Sequence, residues 1–128
     1  MNKNAFFVIL ILSLLFFSSN IFSEIQNLKI ISPNGGELFF TNSNLLIKWR
    51  YPLNNSSEQK FVITLYKNGI NLFTISKISD YNGGKLIWHI PGNFQTGDDF
   101  RIRIRLKENL AVNDFSDSDF SIKNREER

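Results

Sequence analysis

Three arginines alternate along one short stretch of this sequence. Residues 99–107 read DFRIRIRLK, so Arg101, Arg103 and Arg105 occupy every second position. Side chains at every second position of a β-strand project from one face of a sheet, which would align the three guanidinium groups. Guanidinium groups bind carboxylates and phosphates through paired hydrogen bonds, so this row could hold an anionic glycan, a lipid headgroup or an acidic partner. The alternative, which we favour, is a solvated charged face that discourages edge-to-edge aggregation.

Tyr66 is a further candidate for the same face. It lies in residues 61–67, FVITLYK, where the alternation places it on the outward side. If these two strands are neighbours in a sheet, the tyrosine joins the arginines on one surface. The candidate ligand-binding residues are therefore Tyr66, Arg101, Arg103 and Arg105.

Aspartates cluster near the ends of the last two predicted strands, at Asp98, Asp99, Asp114, Asp117 and Asp119. Carboxylates grouped in this way can hold calcium, which prefers oxygen ligands. However, the segment DFSDSD has no glycine at a loop pivot and no glutamate at the expected spacing. Capping of turns by Asp and Ser side chains is the favoured interpretation, so we expect no metal and no cofactor.

Residues for catalysis are scarce. His89 is the single histidine, and in an alternating strand it points outward, opposite to Trp88, without a serine or acidic partner nearby. The absence of cysteine excludes thiol nucleophiles, thiolate zinc sites and disulfides. Glycoside hydrolysis would need two carboxylates about 5–9 Å apart in a cleft, which a small sandwich rarely forms. We therefore predict that the protein is not an enzyme.

The N-terminus resembles a secretory signal. Residues 5–17, AFFVILILSLLFF, are almost wholly apolar and follow Lys3. Thirteen helical residues span about 20 Å, short of the roughly 30 Å hydrocarbon core, so a signal peptide is favoured over a transmembrane helix. We predict cleavage after Ser23, with an uncleaved anchor as the alternative. The expected location is secreted or cell-envelope, with membrane contact only transiently through this peptide.

The rest of the chain predicts short strands separated by turn residues. Alternating or β-branched runs indicate seven strands, and no window shows convincing helical periodicity. They are 28–32, 45–50, 61–67, 70–78, 85–90, 99–107 and 119–123. Asn68-Gly69 is a typical two-residue hairpin turn. Trp49 and Trp88 could stack on sugar rings if exposed, but their inward register favours core packing.

Each predicted strand has a single apolar face, so two packed sheets are the natural architecture. A tryptophan on the second strand with a proline nearby, and an alternating sixth strand, resemble fibronectin type III topology. The predicted fold is an all-β, seven-stranded antiparallel immunoglobulin-like sandwich. Its predicted divisions are 1–23 for the signal peptide, 24–123 for the domain and 124–128 for a charged, disordered tail.

Six motifs occur in an order that resembles one family. They are SPNGGE at 32–37, I-x-W at 47–49, F-x-I-x-L-Y-K at 61–67 followed by N-G, W-x-I-P at 88–91, D-x-F-R-I-R-I at 98–104 and D-F-S-D-x-x-F-x-I at 114–122. The pattern is similar to the Ser-Thr-rich GPI-anchored family domain, a module of fungal cell-wall synthesis proteins and of bacterial secreted proteins. The resemblance implies a surface or cell-wall module without catalytic residues. The sequence departs from that family at Leu38-Phe39, and in lacking a Ser/Thr-rich region and a GPI-attachment tail.

The predicted function is that of a non-enzymatic interaction module that binds cell-envelope polysaccharide or a surface protein. A structural envelope protein that acts by adding a strand to a partner is the alternative. A formal charge of +3 without a reader motif does not indicate nucleic-acid binding. Overlapping N-x-S sequons at Asn54 and Asn55 matter only in a host that glycosylates. Ligand identity and oligomeric state do not follow from the sequence.

Overall fold

The structure is a computed structural model that describes residues 28–51, 59–78 and 84–127. The predicted signal peptide with its cleavage site after Ser23, and the sequons at Asn54 and Asn55, lie outside the described residues. The described strands are β1 (Lys29–Ser32), β2 (Leu38–Phe40), β3 (Asn44–Arg50), β4 (Phe61–Lys67), β5 (Ile70–Ile78), β6 (Lys85–His89), β7 (Gly97–Leu106), β8 (Asn113–Phe115) and β9 (Phe120–Lys123). Arg125–Glu127, in the tail, form one turn of 3₁₀ helix. Among the described residues, no helix has the length and apolarity required to span a bilayer.

Two sheets enclose one core. The smaller sheet has the order β1-β3-β6, and the larger has the order β2-β9-β7-β4-β5, with β8 paired to β7 beside β9. The buried cluster draws on both sheets, and Trp49 of the small sheet packs on Phe61 of the large one with ring centroids 5.8 Å apart. The predicted all-β, immunoglobulin-like sandwich is therefore confirmed.

The strand count and one pairing direction differ from the prediction. The structure has nine described strands instead of the seven predicted, because the short strands β2 and β8 lie between predicted strands. Moreover, β2 pairs with β9 in parallel, so the sandwich is not wholly antiparallel. Each additional strand has only three residues, too few to display a period of two. Strands β2 and β8 are defined instead by their pairing with β9 and β7.

The inward faces of β3 and β7 follow the predicted alternation, but β4 does not. Phe61, Ile63 and Leu65 are buried as expected, and so are Val62 and Thr64, which the sequence placed outward. Thr64 lies directly opposite Arg103 and Val62 directly opposite Arg105. Long aliphatic arginine stems can cover apolar surface while their charged ends reach solvent, which accounts for burial on both faces of this central strand.

Strand β5 is an edge, and its inward side is only partly covered. Phe73 is the register partner of the buried Leu65, yet it is 36% exposed. It packs at the rim of the sandwich against Trp88 and Phe94, at centroid distances of 5.7 and 6.0 Å. Trp49 is fully buried, whereas Trp88 is only half-buried because β6 is also an edge strand. The inward register predicted for both tryptophans therefore leads to full burial only on the central strand.

The turn at Asn34-Gly35-Gly36 docks on the loop between β8 and β9. The Gly36 amide donates to the Asp119 carbonyl at 2.8 Å, and the Ser118 amide donates to the Asn34 carbonyl at 3.0 Å. The Glu37 carboxylate accepts from the amides of Asn34 and Gly35 at 2.6 Å each. The role of this glycine turn is therefore structural, because it fixes the position of the loop that carries Asp119.

Candidate functional site

An open pocket of about 520 Å³ lies on the outer face of the large sheet, beside the β4–β5 hairpin. Its lining comes from strands β4, β7 and β8, from the hairpin turn and from the loop before β9. The lining residues are Tyr66, Asn68, Gly69, Asp99, Arg101, Phe115 and Asp119. We call this set the aromatic pocket. Tyr66 and Arg101 are direct register partners in the β4–β7 pair, so the sheet itself brings these two candidates together.

Two rings form the apolar wall of the aromatic pocket. Tyr66 and Phe115 meet edge to face, with ring centroids 5.0 Å apart, and Phe115 is 37% exposed. The neighbouring Ser116 positions β8, since its amide donates to the Ile102 carbonyl at 2.9 Å. Its buried hydroxyl accepts from the Ile102 amide at 3.0 Å and donates to the Pro33 carbonyl at 2.8 Å. Phe115 is therefore presented by a strand that is fixed from both sides.

The hairpin turn forms the rim of the pocket. Asn68 and Gly69 have φ values of 51° and 73°, the pair of positive angles that a type I′ turn requires. The Asn68 amide donates to the Asp99 carbonyl at 2.9 Å, which ties the turn to the start of β7. The hairpin predicted at Asn68-Gly69 is confirmed, and it places the Asn68 amide side chain at the pocket.

The charged groups of the pocket are paired with one another. Arg101 Nε donates to Asp119 Oδ1 at 2.7 Å. Lys67 Nζ contacts Asp99 Oδ1 at 2.5 Å and lies 4.9 Å from the centroid of the Phe100 ring. The three charged lining residues, Asp99, Arg101 and Asp119, are therefore all engaged in ion pairs, so the lining offers no free guanidinium group to an incoming anion.

The other two arginines of the row are engaged within the protein. Arg103 Nη1 donates to the Tyr66 hydroxyl at 3.4 Å, and its guanidinium lies 5.3 Å from the centroid of the Phe115 ring. Its Nε is buried and has no hydrogen-bond partner among the described residues. Arg105 Nη1 donates to the Leu106 carbonyl at 3.4 Å and does not line the pocket. The three guanidinium groups share one face of the sheet, but they do not form a single anion-binding site.

The five aspartates have separate partners. Besides the ion pairs of Asp99 and Asp119, Asp98 accepts from the Ser121 hydroxyl at 2.7 Å and Asp117 from Asn34 Nδ2 at 2.9 Å. Asp114 accepts from the amide of Ile30 at 2.8 Å and so links β8 to the edge strand β1. Within the described ranges, no three His, Cys, Asp or Glu side chains are grouped in a way that could hold a metal ion.

His89 lies on the outer face of the small sheet, away from the aromatic pocket. It is exposed, and its ring nitrogens contact the side-chain oxygens of Asn44 at 2.9 Å and Asn42 at 3.3 Å. Neither neighbour is a nucleophile or a carboxylate. The polar neighbours of His89 are therefore the side-chain amides of two asparagines.

Phe115, Asn68 and Asp119 are pocket residues that the sequence did not select as ligand-binding. Asn68 was assigned to a turn, and Asp119 was weighed only as a metal ligand or a cap. Phe115 follows an aspartate in the segment DFSDSD, where no alternation marks a strand. Its outward position depends on the pairing of β8 with β7, at the register Arg103 to Phe115.

Comparisons with known proteins give one likeness to report. No family model matches the sequence, so the resemblance to the Ser-Thr-rich GPI-anchored family is not supported. No curated protein matches either. Among solved structures, the chain is similar to a fibronectin(III)-like module of CbhA from Clostridium thermocellum, with 14% sequence identity and a TM-score of 0.45. The match covers 76% of this chain and 96% of that one.

Proposed function

We propose that this protein is an extracytoplasmic, non-enzymatic module that binds neutral polysaccharide of the cell envelope through the aromatic pocket. The observation that carries the proposal is the exposed Phe115 ring beside Tyr66, in a pocket whose charged lining residues are held in ion pairs. The apolar residues 5–17, which predict a signal peptide, support the extracytoplasmic location.

The chemistry of the pocket suits a hydroxylated ring. An aromatic side chain offers an apolar face, against which the C–H groups of a sugar can pack. Asp119, Arg101 and Asn68 at the rim supply acceptors and donors for hydroxyl groups. A largely preformed pocket with few polar groups that fix orientation is the usual form of a small-ligand site.

The engagement of Arg101 and Arg103 within the protein favours a neutral glycan over an anionic one. An anionic ligand would be attracted by guanidinium groups that are free to form paired hydrogen bonds. Here Arg101 is bound to Asp119, and Arg103 is stacked on Phe115. We therefore expect Arg101 and Arg103 to shape the pocket and to form hydrogen bonds with a ligand, and not to attract an anion through free charge.

A binding role fits the two pocket carboxylates better than hydrolysis does. Asp99 is paired with Lys67, and Asp119 is paired with Arg101. Hydrolysis of a glycosidic bond requires one carboxyl group that donates a proton while a second acts as base or nucleophile. Carboxylates already bound to cations are placed to accept hydrogen bonds from hydroxyl groups.

Strand addition to a partner, the alternative function, has less support. The edge strand β5 has two register irregularities against β4, and irregularities of this kind discourage pairing with a further strand. At β1, the amide of Ile30 is already bound by Asp114. Of the described edge strands, β5 is thus irregular and β1 is partly capped.

Replacement of Phe115 by alanine tests the proposed site. We expect at least about a fivefold loss of affinity for the polysaccharide that the wild type binds, because truncation of an aromatic anchor costs more than about 1 kcal/mol. Affinity electrophoresis against a panel of neutral and acidic polysaccharides would identify the ligand, and titration calorimetry would measure the loss.

Phe73→Ala is the matched control, since Phe73 is 36% exposed and also packs against aromatic rings, but lies outside the pocket. It should retain the wild-type affinity. Equal losses in both variants would contradict the pocket assignment. Binding confined to acidic polysaccharides, and lost in high salt, would contradict the neutral-glycan proposal.

A further inference from the structure

The outer face of the small sheet combines exposed aliphatic side chains with cations. We call it the basic face. Ile31, Leu46 and Ile87 lie on it, with exposures of 48%, 41% and 64%. Leu46 and Ile87 are direct register partners, and Ile31 lies on the other neighbour of β3. The three strands therefore place an apolar patch at the middle of this face.

Positive side chains surround that patch. They alternate with the buried residues and therefore share its side of the sheet: Lys29, Lys48, Arg50 and Lys85. The remaining outward residues of these strands are Ser32, Asn44 and His89, so the outward positions of β1, β3 and β6 include no carboxylate. This is unusual in a chain whose 15 basic residues are nearly balanced by 12 acidic ones.

Two of these cations lie directly opposite one another. Lys48 of β3 is the register partner of Lys85 of β6, and like charges at such positions oppose sheet pairing. Within the described ranges, the structure gives no ion pair to Lys29, Lys48 or Arg50. Lys29, Lys48 and Arg50 therefore remain available to a negatively charged partner.

We propose that the basic face docks on the surface of an anionic lipid bilayer. Lysine and arginine side chains near a membrane are attracted by acidic headgroups, and apolar side chains between them enter the boundary between headgroups and acyl chains. The face is the outer surface of a three-stranded sheet, about 15 Å across, and presents both elements in one plane. The proposal adds a membrane contact to the one that the sequence predicted for the signal peptide alone.

The aliphatic centre favours a bilayer over other anionic partners. An acidic polysaccharide would satisfy the cations, but it has no acyl region to accept Leu46 and Ile87. A second copy of this chain would bury the aliphatic residues, but it would also bring the same four cations together. A bilayer with acidic headgroups suits both features at once.

Vesicle co-sedimentation tests the proposal with the full chain. The probes are vesicles of phosphatidylcholine and phosphatidylglycerol in equal parts, and vesicles of phosphatidylcholine alone. We expect binding to the anionic vesicles that weakens as salt rises. Lys29→Glu with Lys48→Glu should reduce the partition coefficient at least about tenfold, and Ile87→Ser should reduce it severalfold.

Each variant has a matched control on another part of the surface. Lys107→Glu with Lys123→Glu changes the net charge equally, at exposed positions outside the basic face. Ile70→Ser removes an isoleucine that is 68% exposed, close to the value for Ile87. Both controls should bind like the wild type.

Several results would overturn the proposal. Equal losses in variants and controls would place the binding elsewhere, and unchanged binding in all of them would place it in the apolar N-terminal residues. Equal binding to both kinds of vesicle would exclude selection of acidic headgroups. A concentration-dependent dimer that Ile87→Ser dissociates, without any effect on vesicle binding, would make the face a contact between copies of this chain. Binding to an acidic polysaccharide in place of the anionic vesicles would exclude the lipid partner.

Discussion

Gly35 shows how a single position can fix a turn that holds a loop of the site in place. Its φ of +139° lies in the region that residues with side chains rarely adopt. A Cβ built there would collide with the side-chain oxygen of Ser118 and lie 3.2 Å from the Ser118 amide nitrogen. Glycine is therefore required here for two reasons, the backbone conformation and the close approach of Ser118. The approach is close because hydrogen bonds on both sides of Gly35 join its turn to the loop between β8 and β9.

Gly35→Ala should lower the free energy of unfolding by about 2–3 kcal/mol, measured by urea denaturation. Gly36→Ala is the control, since its φ is also positive, at +81°, but no atom lies within 4 Å of the added Cβ. It should cost about 1 kcal/mol from backbone strain alone. A second change, Ser118→Gly, should restore part of the stability lost in Gly35→Ala. Equal costs for the two alanine variants would contradict the role assigned to the contact between the loops.

At the scale of strands, side chains of β7 bury the outer side of β4. Thr64 is 6% exposed although it faces away from the core, and Arg103 lies directly opposite. The buried Nε of Arg103 has no described hydrogen-bond partner, so the packing of this side chain, more than its charge, accounts for its position. Apolar groups of the same shape can replace buried, poorly satisfied polar groups at little cost.

Arg103→Met should therefore leave the free energy of unfolding within about 0.5 kcal/mol of the wild type. Arg103→Ala should lower it by about 1–2 kcal/mol, because Thr64 and the Phe115 ring lose their cover. Thermal and urea denaturation of both variants would measure the difference. A methionine variant as unstable as the alanine variant would show that the guanidinium group itself stabilises this surface.

The same strands explain how much the sequence could predict. The alternating runs at 61–67 and 99–107 predict which side of β4 and β7 faces the core, so the shared surface of Tyr66 and Arg101 follows from the pattern, although burial along β4 does not alternate. Phe115 belongs to a three-residue strand whose pairing depends on a distant partner. The pairing of Arg101 with Asp119 likewise depends on a loop that the glycine turn fixes. Local sequence pattern therefore predicted the sandwich and the Tyr66–Arg101 side of the pocket, but it did not predict Phe115 or the ion pair of Arg101 with Asp119.

At the scale of the whole molecule, the two proposed surfaces lie on opposite sides of the sandwich. The aromatic pocket is on the outer face of the large sheet, and the basic face is the outer face of the small one. Packed sheets are about 10 Å apart, and one buried cluster fills the space between them. A molecule that rests on a bilayer through the basic face would direct its pocket away from the lipid.

This separation predicts that the two binding activities are independent. Changes more than about 7–10 Å apart that share no contacts usually have additive effects. Lys29→Glu with Lys48→Glu should therefore leave polysaccharide affinity within about twofold of the wild type, and Phe115→Ala should leave vesicle binding equally unaffected. Protein bound to anionic vesicles should also carry labelled polysaccharide into the pellet, whereas the Phe115→Ala variant should pellet without it. Competition between polysaccharide and vesicles for the wild-type protein would contradict the opposed arrangement, because it would require the two ligands to share one surface.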